Sequence, residues 1–256
     1  MSTQLLIYEN VVPLSKDRHA KSFVEVGAEY AYTKKLNSLP LLATEFIQTA
    51  REFPIVFRVA DNSIQPVVIL GMKAEENLFV KENGEWAADY VPAFLRRYPF
   101  VFARSEDGKT FTLCIDESYS GFNTDGRGER LLTDDGQPTP YVDNVLKFLK
   151  TFETEHARTQ AFCKRLDEFE LLEPQNAVWT GNKGEKAALT GFHCVSREKM
   201  KAIPPKVLSG MIGTGELDLI YAHLLSLQNF NQFKNKLAAD VGQETAPPAN
   251  SRAKKK

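Results

Sequence analysis

The sequence has few cysteines, almost no net charge and no long hydrophobic run. Its three cysteines include no CxxC pair, which argues against a disulfide framework and favours buried free thiols in a reducing compartment. The 32 Lys and Arg residues against 33 Asp and Glu residues lack the basic excess of a dedicated nucleic-acid-binding protein. Apolar runs such as Val67–Gly71 are far shorter than the ~20 residues that cross a bilayer. We therefore expect no nucleic-acid partner and no membrane span.

The N-terminus lacks the pattern of a cleaved secretory signal. Such a signal has a basic segment before an apolar stretch of ~7–15 residues. Here Leu5, Leu6 and Ile7 are followed at once by polar residues, and no basic residue precedes Lys16. These features predict a cytoplasmic protein, and the sequence leaves export by a signal-independent route open.

Segments rich in Val, Ile and Phe predict an antiparallel sheet in the first half of the chain. We expect one largely antiparallel sheet over 54–116 with helices against one face. An extended arm is predicted over 1–35, and a helix is predicted from Ser38 through Arg51. The segments with strand composition are 55–60, 67–72, 78–80, 100–104 and 110–116.

Helical periodicity dominates the second half. Apolar residues recur at helical spacing from Val142 to Phe169 and from Leu217 to Leu237. The predicted fold class is α+β, with a mainly antiparallel sheet, packed helices and a helix-rich C-terminal half. We expect a single unit over 1–237, with the Gly- and Pro-rich stretch 117–140 as the place for any subdivision, and a disordered tail over 238–256.

No catalytic signature is present in the sequence. It has no GxSxG elbow and no Walker A loop. One Glu-x-x-His pair, Glu153 and His156, falls short of the two that a di-iron bundle needs, so we expect His156 to be a half-buried structural histidine. The loop 123–128 imitates the start of an EF-hand but has Arg127 where an oxygen ligand belongs. We therefore assign no catalytic residue, no metal ligand and no cofactor.

The most unusual local feature is the pair Arg96 and Arg97, followed by Tyr98. A short helix here would present both guanidinium groups near Asp116 and Glu117, at the end of a predicted strand. The arginines would either tie helix to sheet through an ion pair or form an anion- or carboxylate-binding edge. Adjacent helical residues point ~100° apart, so we expect one structural and one exposed arginine. These five residues are the candidate binding site.

Four segments together resemble the SapC family, bacterial proteins named for a locus linked to surface-layer proteins. The segments are EFPIVF (52–57), YVPAFLRRYPF (90–100), LCIDE (113–117) and GELDLIYAHLLSLQNF (215–230). The resemblance spans about residues 5–237 and does not extend to the transporter permease of the same name. The family's association with surface layers is one of context, so the resemblance implies an intracellular accessory protein and not a subunit of the layer, and it supplies no catalytic residues.

The sequence and the resemblance are compatible with two functions of different classes. The first is a non-catalytic accessory or binding protein, linked to bacterial cell-surface or secretion machinery, with a protein partner whose identity the sequence does not reveal. The alternative is an enzyme, or a partner subunit of one, with a site assembled from distant segments. Sequence spacing does not reject the alternative, because catalytic groups are recognised by their geometry.

Overall fold

The computed structural model describes residues 6–27, 29–60, 63–105, 110–180 and 186–233. The strands are β1 (Val11–Pro13), β2 (Phe23–Val24), β3 (Ser38–Pro40), β4 (Ile55–Ala60), β5 (Ser63–Ile69), β6 (Phe100–Arg104), β7 (Phe111–Asp116), β8 (Phe122–Asn123), β9 (Glu129–Arg130), β10 (Leu172–Thr180) and β11 (Lys186–Val195). The α-helices are α1 (Lys16–His19), α2 (Phe46–Thr49), α3 (Ala93–Arg96), α4 (Pro140–Glu168), α5 (Arg197–Lys201), α6 (Pro205–Thr214) and α7 (Glu216–Ser226). Turns of 3-10 helix lie at Ala31–Thr33, Ala43–Glu45 and Leu227–Asn229.

The largest sheet has the order β10-β11-β4-β5-β3 and joins the two halves of the chain. The pairing of β11 with β4, at His193 opposite Phe57, makes that connection. A second sheet has the order β1-β7-β6, and a small third sheet has the order β8-β2-β9. Neighbouring strands in all three are antiparallel. The predicted α+β class with mainly antiparallel sheet is therefore confirmed.

The expectation of one sheet over 54–116 is wrong, because these residues divide between two sheets. β4 and β5 belong to the five-stranded sheet, whereas β6 and β7 pair with β1 from the N-terminal arm. Between β5 and β6 the chain turns at Gly84, whose φ of +87° suits glycine, and then forms α3. The residues between β5 and β6 therefore separate the two strands, and β6 belongs to the other sheet.

The helix predicted from Ser38 begins later than expected. Residues Ser38–Pro40 pair with β5 as an edge strand, where a proline without an N–H is tolerated. The 3-10 turn and α2 follow. Glu45 closes the start of this turn, because its carboxylate accepts the backbone N–H of Leu42 at 3.0 Å.

Helix α4 connects the two apolar clusters of the core. It contacts both β5 and β6. Its first half buries Val142 and Leu149 in the cluster around β6 and β7, whereas Phe162 and Leu166 lie in the larger cluster around β4 and β5. Each fully buried side chain of this size contributes ~1.5–3 kcal/mol. One continuous helix thus supports both larger sheets.

The structure bears on several further predictions, about the cysteines, a membrane span and the C-terminal tail. Cys114, Cys163 and Cys194 are buried free thiols, as predicted. None of the helices in the described part of the chain combines the length and apolar character needed to cross a membrane. The predicted tail over 238–256 lies outside the described residues.

Candidate functional site

Two adjoining cavities, of about 360 Å³ and about 170 Å³, share Glu29, Tyr32, Tyr98 and Tyr119 in their walls. We call them together the tyrosine cleft. Five of the chain's eight tyrosines line it: Tyr8, Tyr30, Tyr32, Tyr98 and Tyr119. Tyr98 and Arg96, both predicted as site residues, also reach this cleft.

The tyrosine rings pack against one another as a continuous wall. The ring centroid of Tyr98 lies 4.5 Å from that of Tyr32, 5.2 Å from that of Tyr8 and 5.2 Å from that of Tyr119. Tyr30 extends the wall at 6.3 Å from Tyr32. Because each aromatic pair contributes ~0.5–1.5 kcal/mol beyond the area it buries, the wall is held in a defined shape.

The tyrosine hydroxyls fall into two groups. Three of them donate to groups of the protein: Tyr8 to the carbonyl of Phe100 at 2.6 Å, Tyr119 to the carbonyl of Glu25 at 3.1 Å, and Tyr98 to the carboxylate of Asp116 at 3.5 Å. For Tyr30 and Tyr32, no hydroxyl hydrogen bond to another described residue is found. The three bonded hydroxyls hold the wall in place, and the hydroxyls of Tyr30 and Tyr32 are available to bind a ligand.

Asp116 positions the arm that forms one side of the cleft. Its carboxylate is fully buried and accepts the backbone N–H groups of Glu9 at 2.8 Å, Asn10 at 3.0 Å and Ser118 at 2.9 Å. These bonds place Tyr8 beside Tyr98. Asp116 therefore acts through the arm and does not line the cleft itself.

The opposite side is built from the 3-10 turn Ala31–Thr33 and the residue before it. The N–H of Tyr30 donates to the carbonyl of Gly84 at 2.7 Å, and the Thr33 hydroxyl donates to the carbonyl of Tyr30 at 2.7 Å. Gly121 allows the segment after Tyr119 to approach the backbone of Glu25 closely. A Cβ at this position would lie only 2.1 Å from the carbonyl oxygen of Glu25. Backbone contacts thus hold both flanks of the cleft.

Arg97 is the structural member of the arginine pair. It is only 2% exposed, and its guanidinium carbon lies 4.4 Å from the ring centroid of Phe94 and 4.7 Å from that of Phe152. Burial lowers the pKa of Arg97, and a hydrogen bond with Tyr8 and the charge of Glu153 oppose this shift. The side chain therefore supports the ring of Tyr8 from the core.

Arg96 is the exposed member of the pair and lines the smaller cavity. Its side chain is 47% exposed, its Nε donates to the carbonyl of Val91 at 3.0 Å, and its Nη2 lies 4.0 Å from Glu45 Oε1. Glu45 is buried and also accepts the N–H of Ala93 and the hydroxyl of Tyr90, both at 2.7 Å. Glu45 thus holds the start of α3 and orients Arg96.

The ion pair predicted between Arg96 and the end of β7 is wrong. Arg96 lies beside Glu45, and Asp116 is engaged with the arm. Glu117 pairs with Arg18, whose Nε lies 2.6 Å from Glu117 Oε1, and this hydrogen bond holds the pKa of Glu117 below its ordinary value. The N-terminal arm and α1 cover this end of β7. Its acidic residues therefore pair with groups of these two segments and not with α3.

The larger cavity is acidic. Glu9 and Glu29 are exposed and line it together with Ser118 and Ser120, and the described residues of its wall include no Lys or Arg. Burial is the main cause that raises the pKa of the four tyrosines in this wall, so their phenols stay neutral at neutral pH. These four are Tyr8, Tyr32, Tyr98 and Tyr119.

Other chemically notable groups lie outside the cleft. Burial raises the thiol pKa of Cys163 and of Cys194 to about 12, so both thiols stay protonated. His156 is half-buried, as predicted, and Glu153 accepts a bond of 3.0 Å from Arg104. In the part of the chain that the structure describes, no three His, Cys, Asp or Glu side chains are grouped so that they could hold a metal ion.

A larger groove of about 550 Å³ lies between the β10–β11 hairpin and the end of α7. Phe192, Leu224 and Phe230 form its apolar side. The described chain ends at Phe233, whose ring centroid lies 6.0 Å from that of Phe230. None of the predicted site residues reaches this groove, whereas Arg96 and Tyr98 reach the tyrosine cleft.

Sequence reasoning missed most of the cleft. It singled out Tyr98 but not Tyr8, Tyr30, Tyr32 or Tyr119. A usable signal was present for three of them, because Tyr30, Tyr32 and Tyr119 lie in polar segments without helical or strand periodicity, where a core aromatic is not expected. Tyr8 directly follows an apolar segment and carried no such signal. Aromatic residues in such segments are candidates for a binding surface.

A family model described as SapC matches residues 14–233, which is most of the chain. The chain belongs to the SapC family. The resemblance carried by the four segments is therefore confirmed, and the matched region of this SapC chain includes every cleft tyrosine except Tyr8. A search of curated proteins and a search of solved structures each found no match.

Proposed function

We propose that this SapC protein is a non-catalytic accessory protein that binds a protein partner in the tyrosine cleft. The partner belongs to the bacterial cell-surface or secretion machinery, and the protein acts on it from the cytoplasm. The link to the cell surface rests on the family association with a surface-layer locus. The convergence of five tyrosines and Arg96 on one cleft carries the assignment of a binding site.

The composition of the cleft favours protein recognition. Tyrosine supplies a large amphipathic contact area at low conformational cost, and Tyr and Arg are enriched among residues that dominate binding energy. The hydroxyls of Tyr30 and Tyr32 have no hydrogen-bond partner within the described ranges, so they are available to a ligand. Because the wall is already packed, little ordering has to occur on binding.

The protonation states in and around the cleft favour binding over catalysis. A nucleophile or general base needs a pKa near the working pH. The cleft phenols instead have raised pKa values, because Tyr32 and Tyr98 are partly desolvated. They serve as neutral hydrogen-bonding groups and contact surfaces, which is the chemistry of a recognition site.

Arg96 supplies the anion-binding element of the predicted site. Its Nε donates to the carbonyl of Val91 and its Nη2 faces Glu45 and the hydroxyl of Tyr90, so Nη1 of the half-exposed guanidinium is the group that can donate to a carboxylate of the partner. Arg97, Asp116 and Glu117 act as positioning residues, since they hold Tyr8, the arm and α1.

Affinity capture with the tagged full-length protein tests this function. The wild type, Arg96→Ala and Tyr32→Leu are compared with Lys150→Ala, a control that removes an exposed cation on α4. The wild type and the control should retain the same partner, and both cleft variants should retain about tenfold less. The retained partner should have an unchanged mass. Equal retention by the cleft variants, or chemical conversion of the partner, would overturn the proposal, and conversion would favour the enzyme alternative.

A further inference from the structure

The two cavities of the tyrosine cleft differ in charge, and this difference constrains the occupant. We propose that the larger cavity receives the cationic side chain of a Lys or Arg residue from the partner. This inference rests on the proposed function, because it takes the cleft as the partner's binding site. It adds the chemical class of the side chain that is recognised.

Two carboxylates without ion pairs provide the first argument. Glu9 comes from the arm and Glu29 from the segment before the 3-10 turn, and both are exposed at the larger cavity. Within the described ranges, neither forms an ion pair with Lys or Arg. Glu25, close by in sequence, differs in this respect, because its carboxylate lies 2.8 Å from Arg127 Nη1. The carboxylates of the cavity are therefore available to a cation from outside.

The aromatic wall provides the second argument. The face of a tyrosine ring attracts a cation placed within ~6 Å of its centroid, and the attraction grows when the cation is shielded from water. Tyr32, Tyr98 and Tyr119 belong to this wall, and their closely spaced rings form one surface. Neutral tyrosine rings and negative carboxylates in the wall of one cavity form a site that suits a cation better than an anion.

The buried charges behind the wall have opposite signs. The carboxylate of Asp116 lies next to Tyr98, whereas the guanidinium of Arg97 acts on Tyr8 and is packed between the rings of Phe94 and Phe152. Both groups are buried and oppose each other. The exposed carboxylates of Glu9 and Glu29 therefore set the charge that a ligand meets in the larger cavity, and this charge is negative.

Arg96 determines the direction in which a partner segment binds across the two cavities. It lines the smaller cavity, which shares Tyr32 and Tyr98 with the larger one. A partner segment that carries a cation and, a short distance along the chain, a carboxylate would match both cavities at once. Charge complementarity of this kind orients a ligand and excludes segments of the reverse polarity.

Peptide binding to the full-length protein tests the inference. Fluorescein-labelled peptides Gly-Ser-Xaa-Ser-Gly, with Lys, Arg or Gln at Xaa, are titrated and followed by fluorescence anisotropy. The Lys and Arg peptides should bind about tenfold more tightly than the Gln peptide. Glu9→Gln and Glu29→Gln should each weaken the Lys peptide about threefold. Glu168→Gln, a carboxylate on the exposed surface of α4, is the matched control and should have no effect.

Two further variants distinguish the contribution of the Tyr32 ring to cation binding from that of its hydroxyl. Tyr32→Phe keeps the ring and should retain the preference for Lys over Gln, whereas Tyr32→Leu should lose it. Equal binding of the Lys and Gln peptides would overturn the inference. Binding of free methylguanidinium as tightly as the Arg peptide would overturn the assignment to a partner side chain. If capture of the partner depends on the cleft but the peptides show no charge preference, only the cation inference fails.

Discussion

Asp116 and Glu9 are 107 positions apart in the sequence, yet the buried carboxylate of Asp116 accepts the backbone N–H of Glu9 at 2.8 Å. This bond and its neighbours attach the N-terminal arm to the end of β7. The attachment brings Tyr8 against Tyr98 and places Glu9 at the larger cavity. The binding cleft therefore depends on a contact that lies outside the cleft itself.

Replacing Asp116 with Asn should destabilise the protein and impair the cleft. The amide would turn a donor toward a backbone N–H, and an unpaired buried donor costs ~1–3 kcal/mol. Urea denaturation should show a loss of this size, together with reduced capture of the partner at a concentration where the variant is folded. Asp17→Asn, an exposed carboxylate on α1, is the control. A variant with wild-type stability and wild-type capture would contradict the role of Asp116.

The two arginines should separate in stability measurements. Arg97→Ala should lower the free energy of unfolding by ~3–5 kcal/mol, because it leaves a cavity between the rings of Phe94 and Phe152 and removes the hydrogen bond with Tyr8. Arg96→Ala should cost only about 1 kcal/mol or less, since its side chain is half-exposed, but it should reduce capture of the partner. Chemical denaturation of both variants checks this difference. Losses above ~3 kcal/mol for both residues would contradict the division between structural and exposed roles.

His223 should make stability depend on pH. Its Nδ1 donates to the carbonyl of Ile55 at 2.8 Å, its Nε2 accepts the N–H of Val195 at 3.0 Å, and burial lowers its pKa from 6.5 to about 4. The unfolded chain binds the proton more readily. The stabilisation from neutral His223 is therefore complete above pH ~6.5 and is lost as the pH falls toward ~4.

Urea denaturation at pH 7.5 and pH 5 measures this effect. The wild type should lose about 2 kcal/mol from His223 between these two values. His223→Gln cannot titrate, so its free energy of unfolding should change less with pH, even though its stability at pH 7.5 is lower. An identical pH dependence in the two proteins would show that His223 does not carry the effect.

The described region should behave as one cooperative unit. The pairing of β11 with β4 and the contacts of α4 with both β5 and β6 cross the stretch 117–140 in sequence. Limited proteolysis in this stretch should therefore yield fragments that stay associated or unfold together. Recovery of two fragments that are each stable alone would contradict a single unit.

Deleting residues 239–256 should leave the melting temperature nearly unchanged. This prediction rests on the sequence alone, because these residues are polar, lack apolar periodicity and lie outside the described ranges. Thermal denaturation of the shortened and the full-length chains checks it. A decrease of several degrees in the shortened chain would show that the segment contributes to the folded state.

Local physical chemistry made the principal elements predictable. The β-branched and aromatic composition of β4 and β7 and the 3.6-residue periodicity of α4 are properties of contiguous residues, so they can be recognised without a tertiary structure. The end of α6 at Thr214 has a local cause as well, because Gly215 adopts a φ of +75° that few other residues accept. The sequence also determined the family, since its four motifs are contiguous segments.

Only the tertiary structure decided the site. Whether Arg96 or Arg97 is buried depends on how α3 packs against α4, and their partners come from segments far away in the chain. The tyrosines of the cleft come from the arm, the 3-10 turn and the ends of α3 and β7. Propensity and periodicity act over a few residues, whereas these contacts exist only after distant segments have packed together. The sequence therefore determined the elements and the family, and tertiary packing determined which side chains form the binding cleft.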